Sequence, residues 1–233
     1  MKHFSIWRPF HESGDARVVY VDLALHAGRE SDALDWLDQA ERERRQRFHS
    51  PRARREFTLC RAALRSLLCG ELGCGNGELV FDVQEFGKPL ARVGEVRASV
   101  TFNVSHSGRH GLIGIAPVGR IGVDVEERST NRDLDSMIRT LFAPGERNEL
   151  ESATGERKIS LFYRLWTMKE ALVKAVGAGL SLDPAGFEIP PAMVRGARTG
   201  VFRFREAPDV AWRLDDIGNA EFAAALAREF HES

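Results

Sequence analysis

The sequence predicts an α+β fold, on three observations. Short β-branched and aromatic runs recur along the chain, among them "RVVYVDLAL", "SVTFNV", "HGLIGIA" and "RIGVDVEE". Two long stretches carry helical spacing, each with glycine stop signals behind it. At 233 residues with 43% hydrophobic side chains, the chain has enough apolar content to bury a core around both kinds of element.

Taken in order, "FSIW" and "RVVYVDLAL" read as strands. From Ser31 to about Phe48 the spacing is helical and charge-rich, and Ser50-Pro51 then supplies an N-cap and a first-turn proline for a second helix through about Leu72. Gly73 and Gly75 stop it. "LVFDVQ" reads as a strand closing in the turn "EFGKP", followed by the three strands "SVTFNV", "HGLIGIA" and "RIGVDVEE". A polar, helical connection covers 128–155, and a long helix runs from about Glu156 to Val176 with Gly177 and Gly179 as its stop. "GFEIP", "GVFRF", "VAWRLD" and "EFAAALA" read as closing strands, although the last fits a helix equally well.

The net charge of -1 argues against a general nucleic-acid binder, which usually carries a basic excess to release counterions. Any anion site must be local. No stretch approaches the roughly 20 apolar residues of a membrane span, and the first residues lack a signal-peptide core, so the chain reads as cytoplasmic. The three cysteines, Cys60, Cys69 and Cys74, have no CxxC spacing and read as buried thiols rather than as a zinc site. Only five of 33 basic residues are lysines, and Lys88, Lys169 and Lys174 are three of them.

In the long helix, Leu161, Leu165, Met168, Leu172 and Val176 form an apolar stripe at three- and four-residue steps. Trp166, Glu170 and Lys174 lie roughly opposite it. That face is either solvated, with an ordinary i,i+4 ion pair, or the lining of a cleft; a large indole favours the cleft. "RIGVDVEE" alternates, so Asp124 and Glu126 project side by side with α-carbons ~6.5 to 7 Å apart. A strand edge exposed to water does the same, but two neighbouring carboxylates also suit a hard divalent cation, and Glu170 is a third.

"FNVSHSGRHG" places Ser105, His106, Ser107 and Gly108 in a turn, either an incidental surface turn or one whose hydroxyls and amides hold a phosphate. Nine arginines lie between Arg42 and Arg65, most of them expected to pair with Glu41, Glu43 and Glu56 on solvated helix surface, with a subset free to grip a phosphate. Together these groups describe a magnesium-dependent handler of a phosphorylated substrate. A Walker-type phosphotransferase is disfavoured because the chain has no G-x-x-x-x-G-K-[ST] loop.

"FGKP", "FNVSHSG", "IGVDVEE" and "LWTMKEALVKAVGAGLSL" occur in the order and at about the separations of 4′-phosphopantetheinyl transferases of the Sfp type, and the resemblance covers roughly residues 40–190. It implies a monomer of two similar α+β halves related by a pseudo-twofold axis, divided at 1–118 and 119–233, with coenzyme A bound in the cleft between them. By the same resemblance Asp124, Glu126 and Glu170 hold Mg²⁺ or Mn²⁺, while Lys174 neutralises phosphate charge. Lys88, Ser105 and His106 would contact the coenzyme's phosphates. Arg44 would reach the adenosine 3′-phosphate, with Arg47 and Arg55 as further candidates.

The implied reaction moves phosphopantetheine from coenzyme A to a serine of an apo acyl or peptidyl carrier protein of fatty-acid, polyketide or peptide synthesis. Glu170, directly or through water, would take the serine proton. Met137, Ile138 and Leu141 are expected either to form an apolar patch for the carrier or to belong to the core. The alternative function is a module that binds coenzyme A or a carrier without chemistry.

Overall fold

The computed structural model describes residues 5–83, 89–130, 133–177 and 179–230. The chain opens with a hairpin of β1 (Trp7–Ser13) and β2 (Ala16–Asp22), followed by three helices, α1 (Glu30–Leu34), α2 (Gln39–Gln46) and α3 (Pro51–Leu72). A small sheet follows, made of β3 (Leu79–Val83), β4 (Pro89–Val93) and β5 (Val96–Arg97), and then β6 (Thr101–Ser107) and β7 (His110–Ala116). The rest of the chain holds β8 (Ile121–Glu127), α4 (Leu134–Leu141), α5 (Pro144–Ser152), α6 (Gly155–Val176), α7 (Pro191–Val194), β9 (Thr199–Phe204), β10 (Ala207–Asp216) and β11 (Phe222–Phe230).

Two four-stranded antiparallel sheets organise the molecule, in the orders β1-β2-β7-β6 and β8-β11-β10-β9. The run β2-β7-β6 in the first answers to β8-β11-β10 in the second: a first strand, a 22-residue helix (α3 or α6), then returning strands that pair back onto the first. Each half has its own core. One gathers Val19, Val21, Leu59, Leu68 and Ile113 around α3; the other gathers Leu165, Met168, Leu172, Trp212 and Leu214 around α6. A third core, with Val18, Tyr20 and Leu112 facing Val123, Phe222 and Leu226, glues the two sheets face to face.

Local chemistry explains the helix ends. Ser50 caps α3 by accepting from the Ala53 N–H, and Gly73 ends it at φ +63°. The single helix expected over 31–48 is broken instead. Asp38 and Glu41 form a capping box that starts α2 afresh, Asp38 accepting from the Glu41 N–H at 2.9 Å and Glu41 from the Asp38 N–H at 3.0 Å.

Two strand expectations need correction, one strand pair was not foreseen, and the open alternative for "EFAAALA" is decided. β1 begins at Trp7, where "FSIW" ends, and tolerates Pro9 because it is an edge strand with a register shift there. β4 and β5 were not expected, and residues 85–88 of the turn "EFGKP" lie outside the described residues. "GFEIP" is not a strand: Pro190-Pro191 withhold two amide donors, and the Phe187 carbonyl and Ile189 amide bond to a buried ion pair described below. "EFAAALA" is a strand, because β11 sits centrally between β8 and β10 with Ala223, Ala225 and Ala227 in the α6 core and Phe222, Ala224 and Leu226 in the inter-sheet core.

Position 122 brings α6 onto β8. A Cβ on Gly122 would lie 2.1 Å from the Ala171 carbonyl oxygen and 2.4 Å from the Ala175 nitrogen, so only glycine lets helix and strand backbones touch. That approach sets Glu170 and Lys174 beside the carboxylates of β8.

Candidate active site at the seam between the halves

The seam is where edge strand β6 of the first sheet meets edge strand β8 of the second. Their backbones do not form a ladder. Side chains replace it: Asn103 Oδ1 accepts from the Val123 N–H at 2.9 Å, Ser105 Oγ from the Val125 N–H at 3.4 Å and Ser107 Oγ from the Glu127 N–H at 3.2 Å. The constant offset of 20 residues means that β6 and β8 run parallel here.

Asp124 is buried at this seam. Its Oδ1 accepts from Ser105 Oγ at 2.8 Å and from Lys174 Nζ at 2.6 Å, and Lys174 also donates to Ser105 Oγ at 2.9 Å. Asp124 Oδ2 is buried with no hydrogen-bond partner among the described residues. Glu126 accepts from Ser107 Oγ at 2.7 Å. Glu170, one helical turn before Lys174, completes the group: burial pushes its carboxyl pKa up, Asp124 and Glu126 push it further, and Lys174 opposes them.

Among the described residues, no three His, Cys, Asp or Glu side chains are gathered closely enough to enclose a metal ion. The chemistry of the donors still fits one. They are oxygens only, one carboxylate oxygen is orphaned, and Glu170 is destabilised as an anion by its two neighbours. Magnesium takes one or two carboxylates and completes its shell with phosphates and water, so an open set of this kind suits it.

A second pocket, of about 180 Å³, lies over α3 and is lined by Arg44, Phe57, Arg61, Asn103 and His106 among others. Ser105 therefore serves the carboxylates while its neighbour His106 serves this pocket, and both stand on β6 itself. The expected turn is shorter than the sequence suggested: Gly108-Arg109 alone, with Gly108 at φ +61° as a II′-type hairpin favours. Burial lowers the His106 pKa and Lys174 lowers it further, against the raising effect of Glu56, whose carboxylate stands 3.7 Å from Nδ1.

The arginine cluster divides by partner. Arg65, fully buried, bonds Glu41 at 2.7 Å, Asp38, and the Asn76 and Leu79 carbonyls, so it is a structural tie between α2 and α3. Arg45 and Arg55 share Glu30, and Arg52 pairs with Glu56, whereas Glu43 accepts from Gln39. Arg55 is thus engaged elsewhere, and Arg47 is exposed at the end of α2. Arg44 lines the pocket. Arg61, not singled out from sequence, lines it too, stacked 4.8 Å over Phe81 with Nη1 buried and unpartnered among the described residues.

Other expected site residues fall as follows. Lys88 lies outside the described residues. Lys169 is not at the seam: wholly buried, it pairs with Glu146 at 2.8 Å and donates to the Pro184 and Phe187 carbonyls, while Glu146 accepts from the Ile189 N–H. Trp166 packs half-buried against the second core, as do Met137 and Leu141. Ile138, expected as part of a carrier patch or of the core, is 1% exposed and belongs to the core. No described helix is long and apolar enough to cross a membrane.

Comparison with known proteins identifies a family. Residues 120–227 match the model of the 4′-phosphopantetheinyl transferase superfamily, and residues 29–117 match that of the 4′-phosphopantetheinyl transferase N-terminal region. A putative 4′-phosphopantetheinyl transferase of Synechocystis sp. is 41% identical over 145 residues, 62% of this chain and 58% of that one. The 4′-phosphopantetheinyl transferase HetI of Nostoc sp. is 38% identical over 150 residues, 64% of this chain and 63% of that one. A 4′-phosphopantetheinyl transferase of Bacillus subtilis is 29% identical over 171 residues, covering 73% and 74%. The match spans less than two thirds of the length of the first two relatives.

Proposed function

The chain belongs to the 4′-phosphopantetheinyl transferase superfamily, and on that premise we propose that it transfers the 4′-phosphopantetheine group of coenzyme A to a serine of an apo carrier protein. The observation that carries this reading is the seam itself: Asp124, Glu126, Glu170 and Lys174 stand beside a pocket bearing Arg44, Arg61 and His106. That pairing suits a pyrophosphate ester with a further phosphate at its nucleoside end.

In the reaction, the serine Oγ attacks the β-phosphorus of coenzyme A. The bond from that phosphorus to the bridging oxygen breaks, and adenosine 3′,5′-bisphosphate leaves. Asp124, Glu126 and Glu170 would hold Mg²⁺, which when bound supplies positive charge to the pyrophosphate oxygens. Lys174 then exchanges its Asp124 contact for a phosphate oxygen and stabilises charge on the transferring group. Glu170 takes the serine proton directly or through a water. His106, Arg44 and Arg61 fix the nucleoside end, with Lys88 a further phosphate contact, so catalysis rests on positioning and charge.

Chromatographic detection of adenosine 3′,5′-bisphosphate tests the reading. The product should form only when coenzyme A, an apo carrier and a divalent cation are all present. Coenzyme A binding without product on any acyl or peptidyl carrier would identify a binding module instead.

A further inference from the structure

Ser107 is the last residue of β6, and its hydroxyl is used in both directions. It accepts from the Glu127 N–H at 3.2 Å and donates to Glu126 Oε2 at 2.7 Å. A hydroxyl has one proton, so with the backbone amide on its lone pair that proton is aimed at the carboxylate. Two residues earlier the same figure repeats: Ser105 accepts from the Val125 N–H and donates to Asp124 Oδ1. Both serines thus tie their own strand to β8 and orient the carboxylate one position before the amide they accept from. Ser105 is shared with Lys174, which makes it part of the phosphate-facing group. Ser107 donates to a carboxylate alone among its described side-chain contacts.

The geometry points to Ser107 as a positioning residue for Glu126, fixing the carboxylate's rotamer so that its other oxygen is presented to the cation shared with Asp124 and Glu170. This rests on the metal reading of the seam. Hydrogen-bond partners that orient a ligand typically change metal affinity by roughly 10–100-fold when removed, without touching the ion. Asn103, which pins Val123 in the same way but touches no carboxylate, shows that tying the strands does not by itself require this second bond.

The test is titration of the purified chain with Mn²⁺, followed by electron paramagnetic resonance of the free ion, for the unaltered protein, Ser107→Ala, Ser107→Thr and Asp124→Ala, with thermal melts to verify folding. Ser107→Ala should weaken Mn²⁺ binding about tenfold, and Ser107→Thr, which keeps the hydroxyl, should recover most of it. Unchanged Mn²⁺ affinity in Ser107→Ala alongside lost binding in Asp124→Ala would overturn the positioning role alone. So would a Ser107→Thr variant as weak as Ser107→Ala. Unchanged affinity in Asp124→Ala would overturn the metal reading and the role of Ser107 with it.

Discussion

Lys174 Nζ stands 2.6 Å from Asp124 Oδ1 and bonds Ser105 Oγ in the same reach, so one ammonium joins the long helix, the carboxylate strand and the other half of the molecule. The contact occupies the position where the sequence placed a cation site. Three carboxylates without a counter-charge would repel at a partly desolvated seam, and a lysine that can swing away to phosphate resolves this.

Replacing Lys174 with alanine should therefore do two things. Transfer should fall by about 10² in kcat/KM, the scale for removing a transition-state electrostatic partner. Lys174→Arg should not restore it, because the larger, rigid guanidinium does not fit where a compact ammonium reaches Ser105 Oγ at 2.9 Å and Asp124 Oδ1 at 2.6 Å. Steady-state kinetics on one carrier checks both.

The Lys169–Glu146 pair gives a contrasting outcome for another lysine of the same helix. Burial pushes the Glu146 pKa up and the Lys169 pKa down, yet the pair persists because backbone groups of 143, 184, 187 and 189 satisfy it. Lys169→Met should cost about 3–5 kcal/mol of stability by stranding a buried carboxylate. Urea denaturation reads it; a variant of normal stability but no activity would instead mark Lys169 as part of the chemistry.

Gly122→Ala places a methyl group against the α6 backbone, 2.1 Å from the Ala171 carbonyl oxygen. Neither partner is a flexible side-chain end, so the helix must move. Destabilisation of about 1–3 kcal/mol or more is expected, with a loss of transfer that exceeds what the folded fraction explains, because the same contact sets Lys174 over Asp124.

His110 is buried and shares a 2.8 Å hydrogen bond with the Tyr20 hydroxyl, packed against Phe222 in the inter-sheet core. Burial lowers its pKa from 6.5. The folded state thus binds the proton less readily than the unfolded chain, and stability present above the unfolded value is lost as pH falls through it toward the folded value. Melting temperature should drop below about pH 6.5, and His110→Gln, which keeps a polar partner for Tyr20 but does not titrate, should flatten that slope. An unchanged slope in the variant would assign the effect to other groups.

Much of this architecture is written in local pattern. The caps Ser50 and Gly73, the alternation of "IGVDVEE" and the helical step from Glu170 to Lys174 all follow from residue type and spacing. The break at Asp38 was legible as well, since D-x-x-E is a capping box, but the charge-rich helical spacing around it concealed the signal. Other features depend on tertiary context. Alanine-rich β11 is a strand only because it is sandwiched between the α6 core on one face and the opposite sheet on the other. Asn103, Ser105 and Ser107 share a face by alternation, yet their partners lie 20 residues away on a strand of the other half, which no local window reveals. Arg61 joins Arg44 at the pocket only through the direction in which α3 points it.

The measurement that tests the central claim most directly is the intact mass of apo carrier proteins after incubation with this chain, coenzyme A and Mg²⁺, with and without a chelator. The account predicts a gain of one phosphopantetheine per carrier that the chelator abolishes and that Glu170→Gln greatly slows. A carrier panel left unmodified, with coenzyme A still bound by a folded protein, would contradict it.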